Sequence, residues 1–303
     1  MSQSTLYIVS TPIGNLSSFS PQAKSVLENV SFILCEDTRH TLKLLNHFAI
    51  KNNLESLHVH NEKNKIDYLM DKLISSETHS AALVSDAGTP AICDPGSYFV
   101  AAAHAKNIRI ITVPGPCSMT SALSASGFIQ PRSLFSGFLS KNKSEQFAEF
   151  KLWVSTSPCV AIFFESPRRV CESLKNLHEF FTTQHKITAI HEIELCVSRE
   201  ISKKFEEHRR SSLVHALEYY QEQEELQGEF VICVNLNKLM TLEEAKVTVE
   251  FAAKEAVLMS KLHEIPLKVC CKEIAQKHGF QAKEIYSLVI KMDTVWLAQL
   301  LGS

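Results

Sequence analysis

The sequence predicts an α/β fold of two sheet-bearing domains, residues 1–115 and 116–237, with a small helical appendage over 238–303. Three observations carry this. Short apolar runs alternate with amphipathic stretches from residue 6 to about 114, the pattern of a parallel sheet covered by helices. Beyond 115 the apolar runs lie further apart and include hairpin-like pairs, which suits a mixed sheet. From about 238 the composition turns to Ala, Glu, Lys and Leu, all good helix formers.

The first strand is LYIV (6–9), followed by a helix over PQAKSVLENV (21–30) with proline in its first turn. SFILCE (31–36) is a strand and TRHTLKLLNHF (38–48) a helix. KIDYLMDKLISS (65–76) reads helical, AALVSD (81–86) as a strand, SYFVAAAHAKN (97–107) as a helix and IRIITVP (108–114) as a strand. A helix then starts on the small residues of PGPCSMTSALSASGF (114–128). The second set of strands is SLFSGFL (133–139), CVAIFFES (159–166), KITAIHEIE (186–194) and GEFVICVNL (228–236). In the tail, Pro266 opens a helix and Gly279 ends it, with Ala275, Ile285 and Leu288 at helix-turn-helix spacing. Lys268, Lys272, Lys277, Lys283 and Lys291 suit an RNA-contact appendage, and an ordinary helical hairpin fits the same pattern.

Composition narrows the function. With 45% apolar and 21% charged residues the chain is globular, and no apolar stretch reaches the roughly 18 residues of a membrane span. The start lacks the basic region of a signal peptide, so a cytoplasmic protein is expected. A net charge of -2 argues against a general polyanion binder but leaves room for a local basic groove. The nine cysteines show no C-x-x-C and no zinc spacing, so they read as small buried hydrophobes, and no metal is expected.

The chain holds only nine glycines, and six of them (14, 88, 96, 115, 127, 137) sit just after a strand or at a helix edge. In a parallel α/β sheet the ligand crevice lies beyond the carboxyl ends of the strands. STPIGN (10–15), SDAGTP (85–90) and PGPCS (114–118) should therefore converge as one wall of a binding cleft. No G-x-G-x-x-G opens a helix after the first strand and no P-loop exists, so dinucleotide and nucleotidase sites are disfavoured. Asp86 suits a ribose hydroxyl, an amino group or a sulfonium better than a phosphate.

YIVSTPIGNL, EDTRHTLKLLNHF, LVSDAGTPAICDPG, PGPCSMTSALSASG, FSGFL, FFESPRRV and GEFVICV together resemble one family in order. It is the ribosomal small-subunit RNA 2'-O-methyltransferase I family, within the tetrapyrrole-methylase (class III) S-adenosylmethionine enzymes. The resemblance covers residues 5 to about 236 and continues more weakly into the tail. It implies a two-domain tetrapyrrole-methylase-like fold, usually homodimeric, with S-adenosylmethionine in the cleft between domains. The implied reaction methylates the ribose 2'-oxygen of a decoding-centre cytidine in 16S rRNA, within the small ribosomal subunit. By the same similarity the cofactor contacts are Pro12, Ile13, Asp86, Ala87, Gly88, Thr89, Cys117, Ser118, Phe164 and Glu165.

A ribose hydroxyl is a weak acid, so a general base or a cation near the developing alkoxide would help. Asp37, Arg39 and Glu165 are the candidates for catalysis. Asp37 serves equally as a helix cap, and Glu165 as a partner of Arg168 or Arg169. For RNA contacts the candidates are Arg39, His40, Lys141, Lys143, Arg168 and Arg199, with solvated surface as the plain alternative for the lysines. Departures from the family pattern are small: Ile201 and Ser202 stand where the R-E-L-T-K element has Leu and Thr, and the first loop lacks a proline before T-P. Two other functions keep part of the pattern. One is a class III methyltransferase of a tetrapyrrole or protein, and the other a non-catalytic RNA-binding assembly factor.

Overall fold

The computed structural model describes residues 3–129, 132–184, 190–223, 225–237, 249–262 and 265–291. The chain divides into two compact units, Met1–Lys238 and Leu239–Ser303. Among the described residues, the first contains two five-stranded sheets.

The first sheet is wholly parallel, in the order β3-β2-β4-β1-β5. Its strands are β1 (Thr5–Val9), β2 (Phe32–Cys35), β3 (Leu54–Ser56), β4 (Ser80–Leu83) and β5 (Arg109–Val113). Between them run α1 (Pro21–Asn29), α2 (Thr38–His47), α3 (Glu62–Ser75) and α4 (Ser97–Ala105). Both sheet faces are covered, which the alternation along the strands explains. Phe32, Leu34, Ala81 and Leu83 join one core with Leu69 and Leu73 of α3 and Phe99 of α4. Ile33, Cys35, Ala82 and Val84 join another with Ala23 and Leu27 of α1 and Leu45 of α2. The helix starts are capped as the sequence suggests: Ser20 accepts from the Ala23 N–H, and Asp37 from the Arg39 N–H.

The second sheet is mixed, in the order β6-β7-β10-β8-β9. Its strands are β6 (Ser133–Phe138), β7 (Val160–Glu165), β8 (Glu194–Arg199), β9 (Glu207–Ser212) and β10 (Phe230–Asn235). Among the described residues of this sheet, only β6 and β7 run parallel. Its helices are α5 (Ser118–Ser126), α6 (Lys143–Ser155), α7 (Val170–Glu179) and α8 (Leu213–Gln221). Trp153 of α6 stacks on Phe163 at 5.6 Å between centroids, and Ala122 of α5 packs against Ile162, Cys196 and Val231.

Three strand readings need correction. The strand expected over 186–194 lies later: Ile190–Glu192 is a 3-10 turn, the strand is β8, and residues 185–189 lie outside the described residues. Leu195, Cys196 and Val197 are buried there because β8 sits between β10 and β9. β3 and β9 have no apolar run to announce them, β3 being three residues long and β9 reading EHRRSS. Both are edge strands, where burial asks less of the sequence.

The second unit contains α9 (Val249–Leu262), α10 (Leu267–His278) and α11 (Ala282–Lys291). Ala275 and Ile285 are buried in its core with Ala252, Ala256 and Ile274, and Gly279 closes α10. Among the described residues, no helix is long and apolar enough to cross a membrane.

Candidate active site

All strands of the first sheet end at one edge, so the segments that follow β1, β4 and β5 meet there. They are tied to one another by hydrogen bonds. Thr11 and Gly88 exchange backbone bonds of 2.9 and 3.1 Å, and the Thr11 hydroxyl donates to the Ser85 carbonyl at 3.1 Å. The Ser10 and Thr89 hydroxyls lie 2.9 Å apart, and that of Thr89 donates to the Pro116 carbonyl at 3.3 Å. Gly88 has a φ of +83°, and a Cβ there would stand 3.2 Å from Ile13 Cγ2. Any side chain at this position would be strained and would press on Ile13.

The far end of the loop is held from below. Glu62, 4% exposed at the start of α3, accepts the N–H groups of Gly96 and Phe99 at 3.1 and 3.0 Å. A carboxylate from one helix thus caps the next, using the partial positive charge of a helix N-terminus.

These loops face the second sheet across a cavity of about 370 Å³, within the range of roughly 300–1,000 Å³ typical of small-molecule sites. The loop side contributes Ile13, Asp86 to Thr89, Ile92 to Asp94 and Cys117 to Met119. The sheet side contributes Phe138 of β6, Phe164 and Glu165 of β7, Ser166, Pro167, Ile201 and the stretch Gly228 to Val231.

The loop side is acidic. Burial first, then the neighbouring carboxylates Asp94, Asp86 and Asp37, raises the Glu36 pKa. Burial also raises that of Asp94, opposed by a Ser85 hydrogen bond and reinforced by Asp86. Cys93 is raised by burial and by Asp94, so its thiol stays protonated. Six of the nine cysteines are buried, and burial pushes Cys35 up to about 11 and Cys233 up to about 12.

Of the proposed cofactor contacts, Ile13, Asp86, Ala87, Gly88, Thr89, Cys117, Ser118, Phe164 and Glu165 line this cavity. Pro12 is buried and does not line it. Asp37 is engaged as the α2 cap, and its carboxylate receives Arg39 Nε at 3.1 Å and a terminal guanidinium nitrogen at 2.7 Å. Those bonds hold its carboxyl well below the usual range, and its own N–H donates to Asp86 Oδ1 at 3.3 Å. Glu165 is buried: Oε2 accepts from the Ser173 hydroxyl at 2.5 Å and pairs with Arg169 at 3.4 Å, while Oε1 takes the Ser166 N–H.

The RNA-contact candidates lie outside the cavity lining. Arg39 has a side chain 86% exposed, and His40, Lys141 and Arg168 are exposed. Lys143 pairs with Glu179 at 2.7 Å. Arg199 donates to the Gln227 carbonyl at 2.7 Å, beside Phe230. Residue types alone missed Asp94, Phe138, Ile201 and Gly228 to Val231. The signal available for the last stretch was its glycine directly before a strand.

Comparison with known proteins agrees with this architecture. The family model for Tetrapyrrole (Corrin/Porphyrin) Methylases matches residues 5–214. A Ribosomal RNA small subunit methyltransferase I of Vibrio cholerae is 36% identical over 287 residues, covering 93% of this chain and 92% of its own. That of Pseudomonas aeruginosa is 34% identical, covering 96% and 98%. Among solved structures, a diphthine synthase aligns with a TM-score of 0.55 at 12% identity, over 75% of this chain and 88% of its own. The uroporphyrin III C-methyltransferase of Thermus thermophilus aligns with a TM-score of 0.50 at 14% identity, over 76% and 96%. Both likenesses concern the fold. With a family model over most of its length and relatives matched nearly end to end, the chain belongs to the ribosomal RNA small subunit methyltransferase I family of S-adenosylmethionine-dependent tetrapyrrole-methylase enzymes.

Proposed function

We propose that this protein methylates the ribose 2'-oxygen of a decoding-centre cytidine in 16S rRNA, on the small ribosomal subunit, as a cytoplasmic homodimer. In this reading residues 1–115 and 116–237 are the two domains that enclose the methyl donor, and 238–303 is an appendage. The relatives' name supports a small-subunit RNA substrate.

The observation that carries the reading is the cavity, with one wall of tied loops bearing Asp86 and Asp94 and one wall of strand side chains in which Phe138, Phe164, Ile201 and Val231 stand beside Glu165 and Glu229. S-adenosylmethionine fits that donor set. When bound, it supplies an electrophilic methyl on a cationic sulfur. Asp86 and Asp94 offer negative charge to a cation, Ile13, Met119 and Phe164 offer apolar surface, and the side-chain-free Gly88 allows close backbone approach. Methyl transfer in line depends chiefly on holding the two reactants in place. The loop bonds among Ser10, Thr11, Gly88 and Thr89 supply that rigidity.

Glu165 takes the role of a wall brace, because its oxygens are already occupied by Ser173, Ser166 and Arg169. Asp37 anchors α2 and aims Arg39, whose exposed guanidinium is suited to an RNA phosphate. His40, Lys141, Lys143, Arg168 and Arg199 extend the same electrostatic grip around the cavity.

The test uses purified protein, methyl-labelled S-adenosylmethionine and small subunits lacking the modification, with naked 16S rRNA and Asp86→Ala in parallel. Digestion of the RNA should return the label in 2'-O-methylcytidine, at least tenfold less with Asp86→Ala. Label in another nucleoside would overturn the regiochemistry. No transfer to any RNA, despite donor binding, would move the enzyme to another substrate class.

A further inference from the structure

Phe138 lines the cavity yet is 61% exposed, while the Phe164 ring it touches is half-buried. The backbone creates this exposure. β6 runs in register with β7 to the pair Phe135–Ile162, and pairing resumes at Phe138–Phe164. Three steps along β6 thus match two along β7, the count of a one-residue bulge. Gly137 supplies the turn with a φ of +64°.

In a regular strand, residues three apart point to opposite faces. The bulge cancels that alternation. Phe135 and Phe138 both meet the ring of Phe164 edge-on, at centroid distances of 5.0 and 5.5 Å. Among the described residues β6 is an edge strand of its sheet. A Cβ at Gly137 would lie 3.3 Å from Cys93 Sγ, which puts the loop bearing Ile92 beside the bulge. Ile92 also lines the cavity and is 45% exposed. Two exposed apolar side chains, one from each wall, therefore share one part of the cavity rim.

We propose that Phe138 is the stacking platform for the target nucleobase, and so a binding and positioning residue for the RNA substrate. This rests on the reading of the protein as an RNA ribose methyltransferase. A nucleotide stacked among its neighbours cannot bring its ribose into a cleft, so it must be splayed out. Splayed bases are held on aromatic faces. The edge-on contact with Phe164 fixes the Phe138 ring while the rest of it stays open to a ligand.

The experiment compares the full-length wild type with Phe138→Leu and Phe138→Trp. Calorimetry gives the Kd for S-adenosylmethionine, and initial rates give KM for unmethylated small subunits. Phe138→Leu should leave the donor Kd within about twofold and raise the subunit KM about tenfold, a stacked base being worth roughly 5- to 150-fold. Phe138→Trp should restore KM, and RNA should quench fluorescence beyond that seen with wild type. An unchanged subunit KM in Phe138→Leu would overturn the proposal. A weakened donor Kd with unchanged KM would overturn it too, by assigning the ring to the donor. If the wild type itself methylates no RNA, the parent reading fails. If the wild type is active and only the Phe138 variants behave alike, this inference alone fails.

Discussion

The two walls of the cavity are made in different ways. The wall from the parallel sheet is backbone: loops folded on each other through Thr11, Gly88 and Thr89, with few large side chains. The wall from the mixed sheet is side chain: Phe138, Phe164, Ile201 and Val231, projecting from strands or their ends. A backbone wall has one shape and little tolerance, because any added atom displaces a neighbour. A side-chain wall can be recut residue by residue without moving the strands. A family that shares a donor and varies its substrate would be expected to keep the first kind of wall and change the second.

That difference can be broken first at Gly88. Gly88→Val puts a β-branched residue at positive φ and a Cβ against Ile13. Left-handed backbone alone costs about 1–2 kcal/mol. With the displaced loop, calorimetry should show donor affinity lower by roughly 100-fold, about 2.7 kcal/mol. A tenfold loss or less would mean that the backbone wall adapts and that the contrast is false.

The opposite wall is probed at Lys203. Its ammonium lies 2.9 Å from Glu200 and 3.0 Å from Glu229, and Glu229 lines the cavity. Lys203→Met keeps most of the stem and removes the charge. Charge-assisted bonds at a partly exposed site suggest a loss of about 1–2 kcal/mol in stability. Thermal unfolding should fall by roughly 2–8 °C, and donor affinity by less than tenfold. A larger affinity loss than Gly88→Val would reverse the assignment of rigidity.

The smallest effect is one of pH. Asp94 and Glu36 have raised pKa values in the folded protein, so as pH falls they take up protons before ordinary carboxyls do. Donor affinity should therefore weaken on acidification above the usual Asp range, as negative charge leaves Asp94 in the cavity lining. The same shifts make the fold less stable as pH rises through that window, since the folded state holds the extra protons. Asp94→Asn should flatten both profiles and weaken binding severalfold at neutral pH. An unaltered pH profile for binding would remove Asp94 from cation recognition.

The backbone wall was legible in the sequence because glycine and proline in a glycine-poor chain mark where backbone must turn. SDAGTP and PGPCS each follow an apolar strand run, and the bonds between the loops bear out their convergence. Of the side-chain wall only Phe164 and Glu165 were named, and those through the family resemblance. Phe138 and Val231 lie in strand runs whose apolar side chains all read as core, and only strand order and the bulge reveal which of them face a cavity. Asp94 lay inside a recognised stretch, but its burial depends on packing that the stretch does not encode. Lys203 packs its stem against Gly14, a contact between chain segments far apart in sequence.

The sheet edges have a consequence for how copies of this protein can meet. β3 is only three residues long, β6 is kinked by its bulge, and β9 carries Glu207, His208, Arg209 and Arg210. Arg209 lies over the ring of Tyr219 at 3.6 Å, and Arg210 over Phe128 at 4.5 Å, which anchors charge along that edge. Short, bent or charged edges make poor templates for a further strand. At these three of the four edges, β5 being the other, zipping sheet to sheet into aggregates is thereby disfavoured.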